Sequence, residues 1–244
     1  MGATQIEFRL RMIINAAVVV CGFWSPWIEG WGIGRRISLM EWLATEVSRI
    51  GRLPFTGAIA AAIILASLVA AAGAALRVWG TAYLGPGVVN STAMQAGTVM
   101  ADGPYRHVRN PLYVGIWLMI SAMSFVMPAT GAIFTMCALT VFLLRLILGE
   151  EKFLTAQLGE AYLDYKRTVP RLFPQVRTNL PASGQTPRWV KGVLSELNPL
   201  GVLFILAVLS WKYDSQLMIR AFLVSLGVSL VARALIPEVR QKAA

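Results

Sequence analysis

Six apolar runs decide what this chain can fold into. Residues 12–28, 55–78, 111–127, 131–149, 200–211 and 217–236 are each poor in charge. A helix needs about 20 apolar residues to cross a hydrocarbon core of ~30 Å. Inside a bilayer each backbone N–H and C=O must be satisfied within the chain, so such runs must be helical. A transmembrane barrel would need alternating strands, and that alternation is absent. The runs therefore predict an all-α, polytopic membrane protein of about six spans. One is short: residues 200–211 give only ~18 Å at ~1.5 Å per residue. That run extends back to about Trp189 or does not fully cross.

Charge supports this reading. The chain is 57% hydrophobic and 14% charged, with net charge +10, whereas soluble domains carry roughly 25% charged residues. On a soluble protein such a surplus would suggest nucleic acid. On a membrane protein it reads as the positive-inside bias with contact to anionic lipid. Membrane lipids, not nucleic acid, are the expected partners. A metal site is not expected, because His107 is the sole histidine and Cys21 and Cys137 lie in apolar runs.

Local signals refine the spans. Trp24, Trp27 and Trp31 mark one interface as an aromatic belt. Residues 38–51 read as an interfacial helix, with Leu39, Trp42, Leu43, Val47 and Ile50 at helical spacing. Ala66, Ala70 and Ala74 form one row of small residues and Ser67, Ala71 and Ala75 a second, suited to close helix packing in lipid. Arg77 and Trp79 are expected to end that helix at the interface. A polar, glycine-rich loop over residues 80–102 follows, with Gly85-Pro86-Gly87 and Asn90.

With six spans, the positive-inside rule places both chain ends, residues 79–111 and residues 150–199 in the cytoplasm. Arg9, Arg11, Arg106, Arg109, Lys152, Lys166, Arg167, Arg171, Arg177, Arg188, Lys191, Arg240 and Lys242 fall on that side. Only Arg35, Arg36, Arg49 and Arg52 fall in the opposite loop.

Residues 103–115, Gly-Pro-Tyr-Arg-His-Val-Arg-Asn-Pro-Leu-Tyr-Val-Gly, are the most chemically loaded stretch. Asn110-Pro111 reads as a helix start, with Asn as N-cap and Pro in the first turn. The free N–H groups of that turn, with Arg106, His107 and Arg109, would suit an anionic group. Tyr105 and Tyr113 add aromatic faces that can meet a cation. Further on stand Glu150-Glu151, then Tyr162, Tyr165 and Val169-Pro170. Adjacent helical residues point about 100° apart, so the two glutamates cannot share one face.

In order and spacing these motifs resemble the isoprenylcysteine carboxyl methyltransferase family and its phospholipid methyltransferase relatives, over roughly residues 76–174. The resemblance implies an S-adenosylmethionine-dependent membrane methyltransferase with a cytoplasm-facing cofactor pocket. It implies cofactor contacts from Tyr105, Asn110, Pro111, Leu112, Tyr113 and Glu150, with Thr98, Val99 and Met100 as backbone lining. Glu150 is assigned to the pocket and Glu151 to an ion pair behind it. Prenylcysteine enzymes usually carry His where Asn110 stands, which loosens the acceptor assignment more than the cofactor assignment. An arginine before the glutamates meets the substrate carboxylate in those enzymes. Arg145 is the candidate here, and Arg145 and Glu150 are the expected catalytic residues. A second reading of Arg145 is a side chain snorkelling to lipid phosphate.

The acceptor expected from the resemblance is an amphiphilic or prenylated molecule from the bilayer, methylated on a carboxylate or an amine. Two rivals stand beside it: an NADPH-dependent sterol-type reductase, and a non-catalytic membrane scaffold that kept the fold. The last hairpin is a candidate for oligomer contact or a substrate portal. Reductases with a similar segment usually place an acidic residue after the glycine, whereas Ile116 follows Gly115. The chain divides into membrane helices over 1–78, a methyltransferase core over 79–175, and a linker with a final hairpin over 176–244.

Overall fold

A computed structural model describes residues 2–24, 37–85, 94, 99–178, 180–181 and 184–235. Trp27, Trp31, Arg35, Arg36, Pro86, Gly87, Asn90, Thr98, Arg240 and Lys242 lie outside these residues. The described chain is helical: α1 Gln5–Arg9, α2 Arg11–Phe23, α3 Leu39–Arg49, α4 Phe55–Leu84, α5 Pro111–Ser124, α6 Ala129–Leu158, α7 Glu160–Thr168, α8 Trp189–Ser195, α9 Leu197–Phe204 and α10 Ser215–Leu235.

Six full spans are not what the helix lengths give. Phe55–Leu84 and Ala129–Leu158 are long and apolar enough to cross a membrane. Trp189–Ser195 and Leu197–Lys212 make a third candidate only if taken together, because they meet at a 66° bend. The run at 200–211 thus does reach back to Trp189, but as a broken rod. Arg11–Phe23, Pro111–Ser124 and Gln216–Ala232 are apolar but shorter.

Helix α4 is the spine. Ala66, Ala70 and Ala74 are buried, as a small-residue row should be, whereas Ala75 of the second row is exposed. The helix α5 crosses where glycine meets glycine: a Cβ on Gly115 would stand 3.1 Å from the Gly73 carbonyl and would collide with the Arg77 Cγ. Backbones this close gain dispersion contacts that no bulkier pair would allow. α4 does not end at Arg77 and Trp79 but runs on through Leu84. The reason lies far away in sequence: the Arg77 guanidinium is buried against Glu196, with Nε 2.6 Å from Oε2 and Nη2 2.9 Å from Oε1. The Thr81 hydroxyl donates to the same carboxylate at 2.6 Å. A buried carboxylate paired and hydrogen-bonded in this way lets the polar turn of α4 stay inside the protein.

α3 starts with a capping box, Ser38 with Glu41, which satisfies two orphan N–H groups at its first turn. It turns Met40 and Ala44 inward and leaves Trp42 and Ile50 exposed. The face packed on the protein is thus distinct from the stripe that carries Trp42 and Ile50, and those exposed apolar side chains fit an interfacial helix. Leu39 N–H donates to Met127 C=O at 2.7 Å, tying α3 to the turn between α5 and α6.

Candidate functional site

The motif at 103–115 is a tight turn followed by a helix. Gly103, at φ +54°, sits under the Tyr83 ring and opens a 3-10 turn, Gly103–Arg106; a side chain there would be strained. Pro111 then starts α5. The turn is sewn to residues 165–180. Tyr165 Oη donates to the Tyr105 carbonyl at 2.7 Å, Arg109 N–H to the Pro170 carbonyl at 2.9 Å, and Gln175 N–H to the His107 carbonyl at 3.0 Å. The Tyr162 and Tyr165 rings pack at 5.8 Å beside Val169 and the partly buried Val99. Burial pushes both phenols above their ordinary range, so they serve as neutral donors.

Three of the expected anion-binding groups are used inside the protein. Arg106 donates to the Leu180 carbonyl, with Nε at 3.0 Å. His107 Nδ1 lies 2.8 Å from the Gln175 carbonyl. Arg109 stands 3.3 Å from Glu151. The N-cap reading needs the same correction. Asn110 holds the N-cap position, but its side chain makes no cap bond. Its Nδ2 donates instead to Glu151 at 3.3 Å and to the Arg171 carbonyl at 3.2 Å. Bonding of Nδ2 to a charged, buried acceptor fixes the orientation of the whole amide, and in that orientation Oδ1 makes no cap bond.

Glu150 and Glu151 lie on different faces of α6. Glu151 is 3% exposed and saturated: Arg171 Nη2 at 2.9 Å, Arg109 and Asn110 all converge on it. Its hydrogen bond holds the Arg171 guanidinium above its ordinary value. Glu150 turns the other way and accepts one hydrogen bond from Tyr113 Oη, at 2.7 Å. Two pieces of chain 37 residues apart thus meet at one oxygen. Nearby, Tyr105 Oη is buried with no hydrogen-bond partner among the described residues; a Cβ on Gly80 would lie 3.6 Å from it. Burial raises the Tyr105 phenol well above its usual value, so it is a neutral donor. An unsatisfied buried hydroxyl costs about 1–3 kcal/mol. Such an atom fits a ligand that accepts a hydrogen bond.

The remaining expected residues are placed as follows. Pro111 is buried in the first turn of α5, and the Leu112 carbonyl accepts from Arg77 Nη1 at 3.3 Å. Met100 is half-buried in the loop before the motif. Arg145 is taken up by Glu7 at 2.9 Å, a partner that neither sequence reading assigned to it. Sequence reasoning missed Arg77, Thr81 and Glu196 as a buried unit, since no local spacing joins residues 115 to 119 apart.

Two cavities adjoin the motif. One, of about 350 Å³, is lined by Leu76, Trp79, Pro104, His107, Val108 and Pro174 among others. The second, of about 230 Å³, lies between α2, α5, α9 and α10, with Arg77 at its edge and Ile116, Val202 and Phe222 among its walls. Tyr105, Tyr113 and Glu150 line neither.

Fold and site together define a helical integral membrane protein with a polar, aromatic centre at the mouth of a helical hairpin. Residues 56–161 match the profile of the phospholipid methyltransferase family, and that segment contains both the motif and the two glutamates. The resemblance read from residues 103–115 and Glu150-Glu151 is thereby shown. The chain is also similar to methanethiol S-methyltransferase of Crocosphaera subtropica, 41% identical over 70 residues. That alignment covers 29% of this chain and 27% of the relative, so the chain spans about a quarter of the curated relative it matches. No solved structure matches the chain.

Proposed function

We propose that this protein is a membrane-embedded methyltransferase that uses S-adenosylmethionine and methylates an apolar or amphiphilic acceptor from the bilayer. The carrying observation is the Tyr113–Glu150 hydrogen bond at 2.7 Å, within the segment that matches the family, beside the unpartnered Tyr105 hydroxyl. When bound, S-adenosylmethionine would supply an electrophilic methyl on a sulfonium, with the neutral thioether, S-adenosylhomocysteine, as leaving group. The chain needs to do little acid–base work. Tyr105 and Tyr113 offer electron-rich faces to a cation. Glu150 accepts from amine or ribose donors, and Tyr105 Oη donates. Asn110, Pro111, Leu112 and the loop at Val99 and Met100 would shape the backbone around the ligand. Alignment to about 3–3.5 Å and exclusion of water would supply most of the rate.

The acceptor follows from the neighbourhood. The cavity of about 230 Å³ between α2, α5, α9 and α10 is walled by apolar side chains and suits an alkyl or prenyl portion. The similarity to a methanethiol S-methyltransferase favours a small thiol as a second acceptor class beside a lipid carboxylate or amine. In the bilayer, the shorter apolar helices α2, α5 and α10 would complete a six-span topology, with site and chain ends in the cytoplasm, where the basic residues cluster. Arg145 would then steady α1 through Glu7 unless an acceptor carboxylate draws it away.

The test is equilibrium binding of S-adenosylhomocysteine and of NADPH to the purified protein in nanodiscs. A radiolabelled-methyl assay would follow, against native lipid extract, a prenylcysteine analogue and a short alkyl thiol. Binding of S-adenosylhomocysteine with label transferred to one acceptor is the expected result. NADPH binding without S-adenosylhomocysteine binding would overturn the reading in favour of a reductase.

A further inference from the structure

The segment before the family match packs against the end of α6 that carries Glu150. Gly2 and Gly149 touch backbone to backbone: a Cβ on Gly2 would stand 2.9 Å from Gly149 Cα. Ala3 N–H donates to the Arg145 carbonyl at 2.7 Å. Glu7 grips the Arg145 guanidinium at 3.1 and 3.0 Å. Phe8 is buried with Leu143 and Leu146, and Ile14 and Val18 pack on the same cluster as Tyr113 and Ile116. At the far end Gly22 abuts Thr135. So α1 and α2 run antiparallel to α6, pinned at both ends.

Arg11 sits at the first position of α2. Side chains on a helix lean toward its N-terminus, and this one does: Nη1 donates to the Phe8 carbonyl at 3.0 Å, and the guanidinium lies 4.1 Å from the Phe8 ring centre. Leaning that way directs its charge to the Glu150 end of α6. Phe8 packs on Leu143 and Leu146, and Ile14, one turn along α2, packs in the cluster of Tyr113, so Arg11 stands on the side of α6 where Tyr113 meets Glu150. A carboxylate and a guanidinium thus lie on one side of α6, near a hydroxyl that has no hydrogen-bond partner among the described residues. A free amino acid carries a carboxylate and an ammonium on one carbon, and adjacent charges of opposite sign are what such a zwitterion requires.

We propose that Arg11 is a ligand-binding residue of this site and takes the α-carboxylate of the cofactor's amino-acid end, opposite Glu150, with residues 2–8 as the strap that holds it there. This rests on the methyltransferase reading above. It assigns a role to a segment outside residues 56–161.

Two probes separate the proposal from a structural role. S-adenosylhomocysteine carries the amino-acid end; 5′-methylthioadenosine keeps the adenosine and thioether but lacks it. Binding of each is measured by calorimetry on the whole protein in nanodiscs. Arg11→Gln should weaken S-adenosylhomocysteine about tenfold, the loss of one charge-assisted hydrogen bond at about 1.4 kcal/mol per decade. It should leave 5′-methylthioadenosine within about twofold, a difference near the precision of such a measurement. Arg11→Lys, which keeps the charge, should fall between. Equal losses for both probes would reduce Arg11 to a structural partner of Glu150, and no loss for either would remove it from the site. If Arg11→Gln does not fold, Arg11→Lys still decides, since a change confined to S-adenosylhomocysteine supports the proposal and an equal change overturns it. Wild-type protein that binds neither probe sinks the methyltransferase reading itself. Wild-type protein that binds both equally sinks only the Arg11 assignment.

Discussion

Glu150 and Glu151 are neighbours in sequence and opposites in environment. Glu151 is enclosed by Arg171, Arg109 and Asn110, and its bonds reach across to residues 109–110 and 171. Glu150 has the Tyr113 hydroxyl and, nearby, the Tyr105 hydroxyl, which has no hydrogen-bond partner among the described residues. A carboxylate with every partner supplied by the chain holds structure together. One left with spare acceptor capacity beside an unpaired donor is suited to a ligand. Helix geometry creates the difference, because consecutive residues diverge by about 100°. One side chain therefore faces the sewn turn while the next faces the site.

The sharpest way to break this comparison is Glu151→Ala. It strands two guanidiniums and an amide, and breaking a buried pair from one side costs about 3–5 kcal/mol. The expected outcome is a large fall in melting temperature with loss of folded yield, read by thermal unfolding in detergent. Glu150→Gln should do the reverse. Its melting temperature should stay within a few degrees, while S-adenosylhomocysteine affinity drops about 10- to 100-fold, the equivalent of one or two charged hydrogen bonds. If Glu150→Gln melts like Glu151→Ala, the two carboxylates are not distinct and the contrast fails.

Gly115→Ala probes the frame on which α5 rests. Its Cβ would collide with Arg77 and crowd the Gly73 carbonyl, so a loss of about 1–3 kcal/mol is expected. Binding should weaken with it, since the shift moves Tyr113. The smallest effect concerns pH. Arg145, by hydrogen bonding, holds Glu7 down at about 2 against an ordinary 4.5. A lowered folded-state value means that the strap's contribution is present above about pH 4.5 and is lost as pH falls toward 2. Amide hydrogen exchange over residues 2–10 should therefore accelerate across that window, before the core. In Glu7→Gln the acceleration should be absent, with fast exchange at every pH.

Much of the fold was legible locally. Hydropathy located the apolar helices, the alanine row marked the buried face of α4, and Asn110-Pro111 marked where α5 begins. The 100° rule separated Glu150 from Glu151 before any coordinates. What misled was reading interfacial charges as exposed. Arg77 looked like a helix end and is instead 7% exposed against Glu196, and of the expected anion cluster Arg106 and His107 turn to backbone carbonyls while Arg109 stands beside Glu151. Each error has one cause: the partner comes from another part of the chain, and no periodicity encodes it.

By itself, the sequence determined that this chain is helical and apolar enough for a membrane, and it singled out residues 103–115 and 150–151 as the candidate site. Apolar length and backbone hydrogen bonding are local demands that a run of residues either meets or does not. Tertiary structure alone decided which charges meet. It set Arg145 against Glu7, Arg77 against Glu196 and Arg171 against Glu151, and it packed the segment that carries Arg11 against α6. Pairing a buried charge depends on the three-dimensional approach of segments as much as 119 residues apart, as at Arg77 and Glu196, and the free energy of that pairing exists only once the helices have packed.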